Sequence, residues 1–177
     1  MDFYQATPES THPYSGFMEL DDSERIRDMG PDSPSRWTPP EIEISTLDEW
    51  RRPLRPAKVL RPSLSCLAIY PKDREEVEEY LLPWGEFLPA VSQGEPLLLF
   101  HATHHADVAV EPREEDEIFR RLRRSEPIIF HRDAEELGIF SLTSSAMGLF
   151  FSQWFVDRAA ENQLFDSIEF RKAAIAQ

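Results

Sequence analysis

His101, His104, His105 and Asp107 fall within one short stretch, and they are the one grouping in the chain with the donor types of a transition-metal site. A shared ion would need ring nitrogens about 2.0–2.1 Å from the metal. On a helix, His101, His104 and His105 would lie on one face. The preceding run Leu97-Leu98-Leu99-Phe100, however, reads as a strand that enters a turn at His104–Ala106. In that conformation His101 and His105 stand roughly 13 Å apart, at about 3.3 Å per residue. The spacing therefore predicts polar residues at a hairpin end and no metal.

The other reactive residue types give no stronger pattern. Cys66 sits among Leu64, Leu67, Ala68 and Ile69 with no cationic neighbour in sequence, as a buried structural thiol would. Thr143-Ser144-Ser145 lacks the Gly-x-Ser-x-Gly elbow of a serine nucleophile and reads as a turn. Six glycines in all leave little material for a phosphate-cradling loop. Carboxylates are abundant enough for a glycosidase-like pair, but no spacing singles one out. No catalytic residue and no cofactor is predicted.

Two acidic stretches, Asp73–Glu79 and Glu111–Glu117, carry the remaining functional signal. The simplest reading is a pair of solvated helix faces. The functional reading is a negative patch that meets a basic partner, with Glu75, Glu76, Glu79, Tyr80, Glu114, Glu115, Asp116 and Glu117 as its candidate contacts. Trp84 and Phe87, beside Tyr80, are either aromatic anchors for that partner or part of the core.

The elements that must position these residues are short. Fifteen prolines against six glycines break the chain into brief segments. Residues 2–7 read as an opening strand, and Pro8–Pro40 as an irregular arm with a short helix at Asp21–Met29 and its most mobile part at Gly30–Thr38. Strands are predicted at Glu41–Ile44, Leu64–Tyr70, Glu95–Thr103, Asp107–Glu111, Pro127–His131, Ile139–Thr143 and Ser167–Arg171. A helix at Lys72–Leu82 turns Val77, Tyr80 and Leu81 to one face. A second, Glu114–Arg124, has the favourable i,i+4 order at Asp116→Arg120 and Glu117→Arg121. A third begins at an N-cap, Ser152, and carries Phe155, Val156, Ala159, Ala160 and Leu164 as its stripe, facing strands that hold Phe140 and Phe170. The expectation is α+β: a mainly antiparallel sheet with about three short helices. Residues 1–40 form a strand and arm packed on a single domain, 41–177.

Composition bounds the function. With 177 residues, 41% of them hydrophobic, and with twelve Phe and four Trp, the chain can build one domain with a real core. The net charge of −14, from 33 acids and 19 bases, disfavours nucleic acid and anionic membrane surfaces and favours capture of a basic partner. A single cysteine excludes an internal disulfide framework and suits a reducing compartment. Met-Asp-Phe-Tyr-Gln has no signal-peptide character, and no apolar run approaches the roughly 20 residues that cross a bilayer. A cytoplasmic protein is expected.

Several short motifs belong together. Trp84-Gly-Glu-Phe-Leu-Pro89 forms a turn before the Leu97–Phe100 run. Asp116-Glu117-Ile118-Phe119 and Ile139-Phe140-Ser141-Leu142 follow, and Trp154-Phe155-Val156…Leu164-Phe165…Ile168-Glu169-Phe170 closes the series. Together they resemble the immunity proteins of bacterial polymorphic toxin systems, in a branch formerly known as a domain of unknown function. The resemblance is strongest over Ala68–Pro89 and Ile139–Phe170 and weaker at Phe3-Tyr4 and Trp37–Pro39. It departs between His104 and Arg124. It implies an α+β protein that binds and blocks one cognate toxin by direct contact, with no catalytic residues. The alternatives are a small metal-dependent hydrolase using His101, His104 and Asp107, or a non-catalytic scaffold subunit.

Overall fold

The computed structural model describes residues 1–29, 37–106, 109–142 and 145–177. Most of the Gly30–Thr38 segment, together with Asp107 and Thr143-Ser144, lies outside the described residues. The fold is α+β. Three sheets and four α-helices form among the described residues, where about three helices are expected.

Strand β1 (Asp2–Pro8) opens the chain, with Phe3 and Ala6 buried on its opposite faces. The arm follows as β2 (Tyr14–Phe17), α1 (Leu20–Arg27) and β3 (Ile42–Ser45), and β2 pairs antiparallel with β3. A hairpin of β4 (Val59–Ser63) and β5 (Cys66–Ile69) leads through a short 3-10 turn into α2 (Arg74–Leu81). Next come β6 (Gly85–Ser92), β7 (Glu95–Ala102), β8 (His105–Ala106) and β9 (Ala109–Glu111). Then come α3 (Glu115–Arg123), β10 (Ile128–Phe130) and β11 (Ile139–Leu142). The chain closes with β12 (Ser145–Ser152), α4 (Gln153–Asn162) and β13 (Ile168–Ala176).

Seven strands form the larger sheet in the order β8-β11-β12-β1-β13-β10-β9, parallel at its β8–β11 and β13–β10 pairs and antiparallel elsewhere. The smaller sheet, β4-β5-β7-β6, is antiparallel throughout. The opening strand, read from sequence as part of a packed arm, is thus a central strand of the larger sheet.

Side-chain alternation along the strands divides the interior in two. Ile139, Leu149, Phe151 and Ala6 point to one face of the large sheet, where they pack with the small sheet, α2 and α4. Phe3, Phe140 and Phe150 point to the other, where Ile118 of α3 joins Ile128 and Phe130. A third cluster covers the far face of the small sheet, with Ile26 of α1 and Ile42 of β3 over Leu60, Cys66, Ala68 and Leu99. This division corrects one expectation for α4. Phe155 packs toward Phe151 and Phe165, with Phe170 beside them, whereas Phe140 belongs to the opposite face.

Other corrections concern strands. Trp84–Pro89 is not a turn: Gly85 begins β6, whose Phe87 lies opposite Phe100. Leu64–Tyr70 is not one strand, because the chain reverses at Leu64-Ser65 to form the β4–β5 hairpin. His105-Ala106, expected in a turn, pairs in parallel with Ser141-Leu142. β12 was not anticipated, and β13 continues past Arg171 to Ala176.

Candidate functional site

The histidine group is divided among separate partners. His101 is buried, with Nδ1 3.1 Å from Glu86 Oε1 across the β6–β7 pair. His104 Nδ1 lies 3.2 Å from the Trp84 carbonyl oxygen, and its ring stands edge-on to Trp84. Burial, with a smaller contribution from nearby His101, holds the His105 imidazole below its usual value despite a hydrogen bond to the Ala102 backbone. No group of three or more potential metal ligands converges among the described residues, and Asp107 lies outside them.

Cys66 is fully buried, and burial pushes its thiol up to about 12, against the opposing hydrogen bond to Ser63 and the charge of Arg61. Arg61 is thus a cationic neighbour that the local sequence did not suggest. It is itself brought down to about 10 by burial. Ionisation alone should slow reaction of the folded thiol with Ellman's reagent at pH 8 about a thousandfold relative to the unfolded chain. Comparable rates before and after denaturant would contradict this burial.

The two acidic stretches are separated. Val77, Tyr80 and Leu81 seat α2 on the core between the sheets, whereas Ile118 seats α3 on the opposite face of the large sheet. One of the α3 acids is also answered locally. Glu117 pairs with Arg120 at 2.8 Å and Arg121 at 3.5 Å, so Arg120 turns to Glu117 and not to Asp116. Glu114 and Asp116 are exposed, and the side chain of Glu115 lies outside the described residues.

On α2, Glu75 is exposed, Glu76 pairs with Lys58, Glu78 with Arg74, and Glu79 with Arg158 at 3.2 Å. Tyr80 is only 5% exposed and stands edge-on to Phe165, with the Arg158 guanidinium 4.6 Å above its ring. Its ring is core, and a partner approaching there would meet Arg158. Trp84 and Phe87 are half-buried against the same core.

Arg158 ties α2 to α4, and α4 carries the acids that the sequence reading passed over. The helix starts because Ser152 Oγ accepts from Phe155 N at 3.4 Å while standing 3.5 Å from the Gly138 carbonyl oxygen. Ser152→Ala should therefore cost about 1 kcal/mol in denaturant unfolding, a typical value for a lost cap. An unchanged midpoint would remove the cap from the account. Phe155 and Ala159 face inward, leaving Asp157 and Glu161, four residues apart, on the exposed side. Neither has an ion-pair partner among the described residues, and Asp157 accepts from Gln153 Nε2 at 2.7 Å. Beside them a cavity of about 240 Å³ opens between α4 and the start of β13, with Asp166 on its wall. The i,i+4 spacing on a helix expected from its Ser152 cap would have been the signal for this acidic pair.

No helix among the described residues is long and apolar enough to cross a membrane. Comparison with family models, curated proteins and solved structures returned no match for the chain.

Proposed function

We propose that this protein is an immunity protein, which binds a cognate bacterial toxin in the cytoplasm and neutralises it by direct contact. One observation carries the reading: Glu75 and Glu79 of α2 and Asp157 and Glu161 of α4 are exposed acids on two helices that pack on one densely aromatic core and meet at the Glu79–Arg158 pair. The shared core holds the two helices in place, so little backbone ordering entropy is lost when a partner docks. The sign of these acids suits a basic toxin surface, and the chain's charge of −14 extends the attraction beyond the contact itself. The short-motif resemblance to immunity proteins points the same way.

The test is co-expression with the product of an adjacent upstream gene. The immunity reading expects restored growth of cells making that product and a stable complex on purification. A scaffold subunit would give a complex without rescue, and a hydrolase using His101 and His104 would show turnover lost on His104→Ala.

A further inference from the structure

The cavity between α4 and β13 has a chemistry that selects its occupant. Its walls are Val156, Ala159, Ala160, Phe165, Ile168 and Phe170, with Gln163 and Asp166 as the polar residues. It is smaller than the roughly 300–1,000 Å³ pockets that enclose drug-sized ligands, and suits one large side chain. Asp166 is its single charged lining residue. Asp157 and Glu161 run along the adjoining face of α4.

Behind Asp166 lies His12, only 4% exposed, with Nε2 3.6 Å from Asp166 Oδ2 and without a hydrogen bond. The other ring nitrogen of His12 is 2.8 Å from Glu9 Oε2, so the imidazole is anchored from below. Lys58 feels the charge of Asp166 but is tied to Glu76. The Asp166 carboxylate therefore stands at the cavity wall within reach of solvent, with no Lys or Arg ion-pair partner among the described residues. Gln163, in the left-handed region at φ 54°, ends α4 and leaves the opening between helix and strand.

We infer that this cavity receives an apolar side chain of the toxin accompanied by a basic group, with the apolar part against Phe165, Ile168 and Val156 and the cation on Asp166. The inference rests on the immunity reading for its partner. It gives that interface a buried anchor inside an acidic rim, the arrangement in which a few residues dominate binding. The Tyr80–Phe165 and Arg158–Glu79 contacts join the cavity to the acidic face of α2.

The chemistry can be tested without the toxin, using 2-phenylethylamine and phenylacetate as probes of similar shape and opposite charge. Titrated into isotope-labelled protein, the amine should shift the Ala160, Gln163 and Asp166 amide resonances and bind at least tenfold tighter than the acid. Ala160→Trp, at an exposed position that fills the cavity from its mouth, should abolish the shifts. Asp166→Asn should remove the preference for the amine while leaving the fold intact. Equal binding of both probes, no binding, or binding that survives Ala160→Trp would overturn the inference. In the co-expression assay, Ala160→Trp should lose protection that the wild type gives. If the wild type protects and Ala160→Trp protects equally, the toxin anchor is wrong and the immunity reading stands. If the wild type gives no protection, the immunity reading and its toxin anchor fall together, and amine-selective binding would then mark a site for a free amine.

Discussion

Phe155→Ala should lower the unfolding free energy by about 3–5 kcal/mol, the usual range for deleting a buried Phe ring. Phe155 is 1% exposed, and its centroid lies 5.6 Å from those of both Phe151 and Phe165. Aromatic neighbours in edge or tilted contact cannot collapse into the vacated space without giving up their own geometry, so the cavity term persists. Phe155 also receives the Ser152 cap through its backbone N–H, which the substitution leaves in place. Urea unfolding of the two proteins measures the difference. A loss below about 1 kcal/mol would show that the α4 face is not packed as described.

Gly148→Ala should be at least as damaging, for a different reason. Gly148 lies in β12 at φ 89°, where a side chain is strained, and an added Cβ would stand 2.3 Å from the Leu64 carbonyl oxygen. That oxygen already accepts from Leu149 N at 2.9 Å, a bond joining the large sheet to the turn of the β4–β5 hairpin. Neither side of this contact is a flexible side-chain tip. Backbone strain of about 1–3 kcal/mol adds to an overpacking cost of similar size, so a loss above roughly 3 kcal/mol is expected. Gly94 supplies the control. It has φ 84° and open space around it, so Gly94→Ala carries the strain alone. Thermal unfolding should place Gly148→Ala well below Gly94→Ala. Equal melting temperatures would mean the close approach to Leu64 does not exist.

Helices were more legible in the sequence than strands. α4 could be located from Ser152 and the stripe through Phe155 and Ala159 because both signals are local and recur at helical period, although Ala160 of that stripe is exposed and Leu164 lies beyond the helix end. β12 could not, because Gly148 interrupts its alternation and its register is set by β1 and β11 far along the chain. β6 was hidden by Gly85 and Pro89, residues that mark turns on average. Here the pairing of Phe87 with Phe100 prevails over that tendency. The site was half legible. The charge and the acids of α2 could be seen, but a linear sequence cannot show that α2 and α3 lie on opposite faces of a sheet. Nor can it show that Arg120 and Arg121 close on Glu117. Tyr80, expected both on the apolar face of its helix and among the partner contacts, lies under Arg158 of α4.

Capture of a basic toxin through the α2–α4 face is the step we propose. It is tested most directly by association kinetics from low to high salt, with wild type beside the Glu75→Lys, Glu79→Lys, Glu161→Lys triple variant. These side chains are exposed, and the Glu79–Arg158 pair at the surface contributes little to folding, so stability should stay nearly constant. Wild type should associate about tenfold or more faster at low salt, with the two rates converging as salt screens the field. Equal association rates for both proteins at every salt concentration would contradict the account.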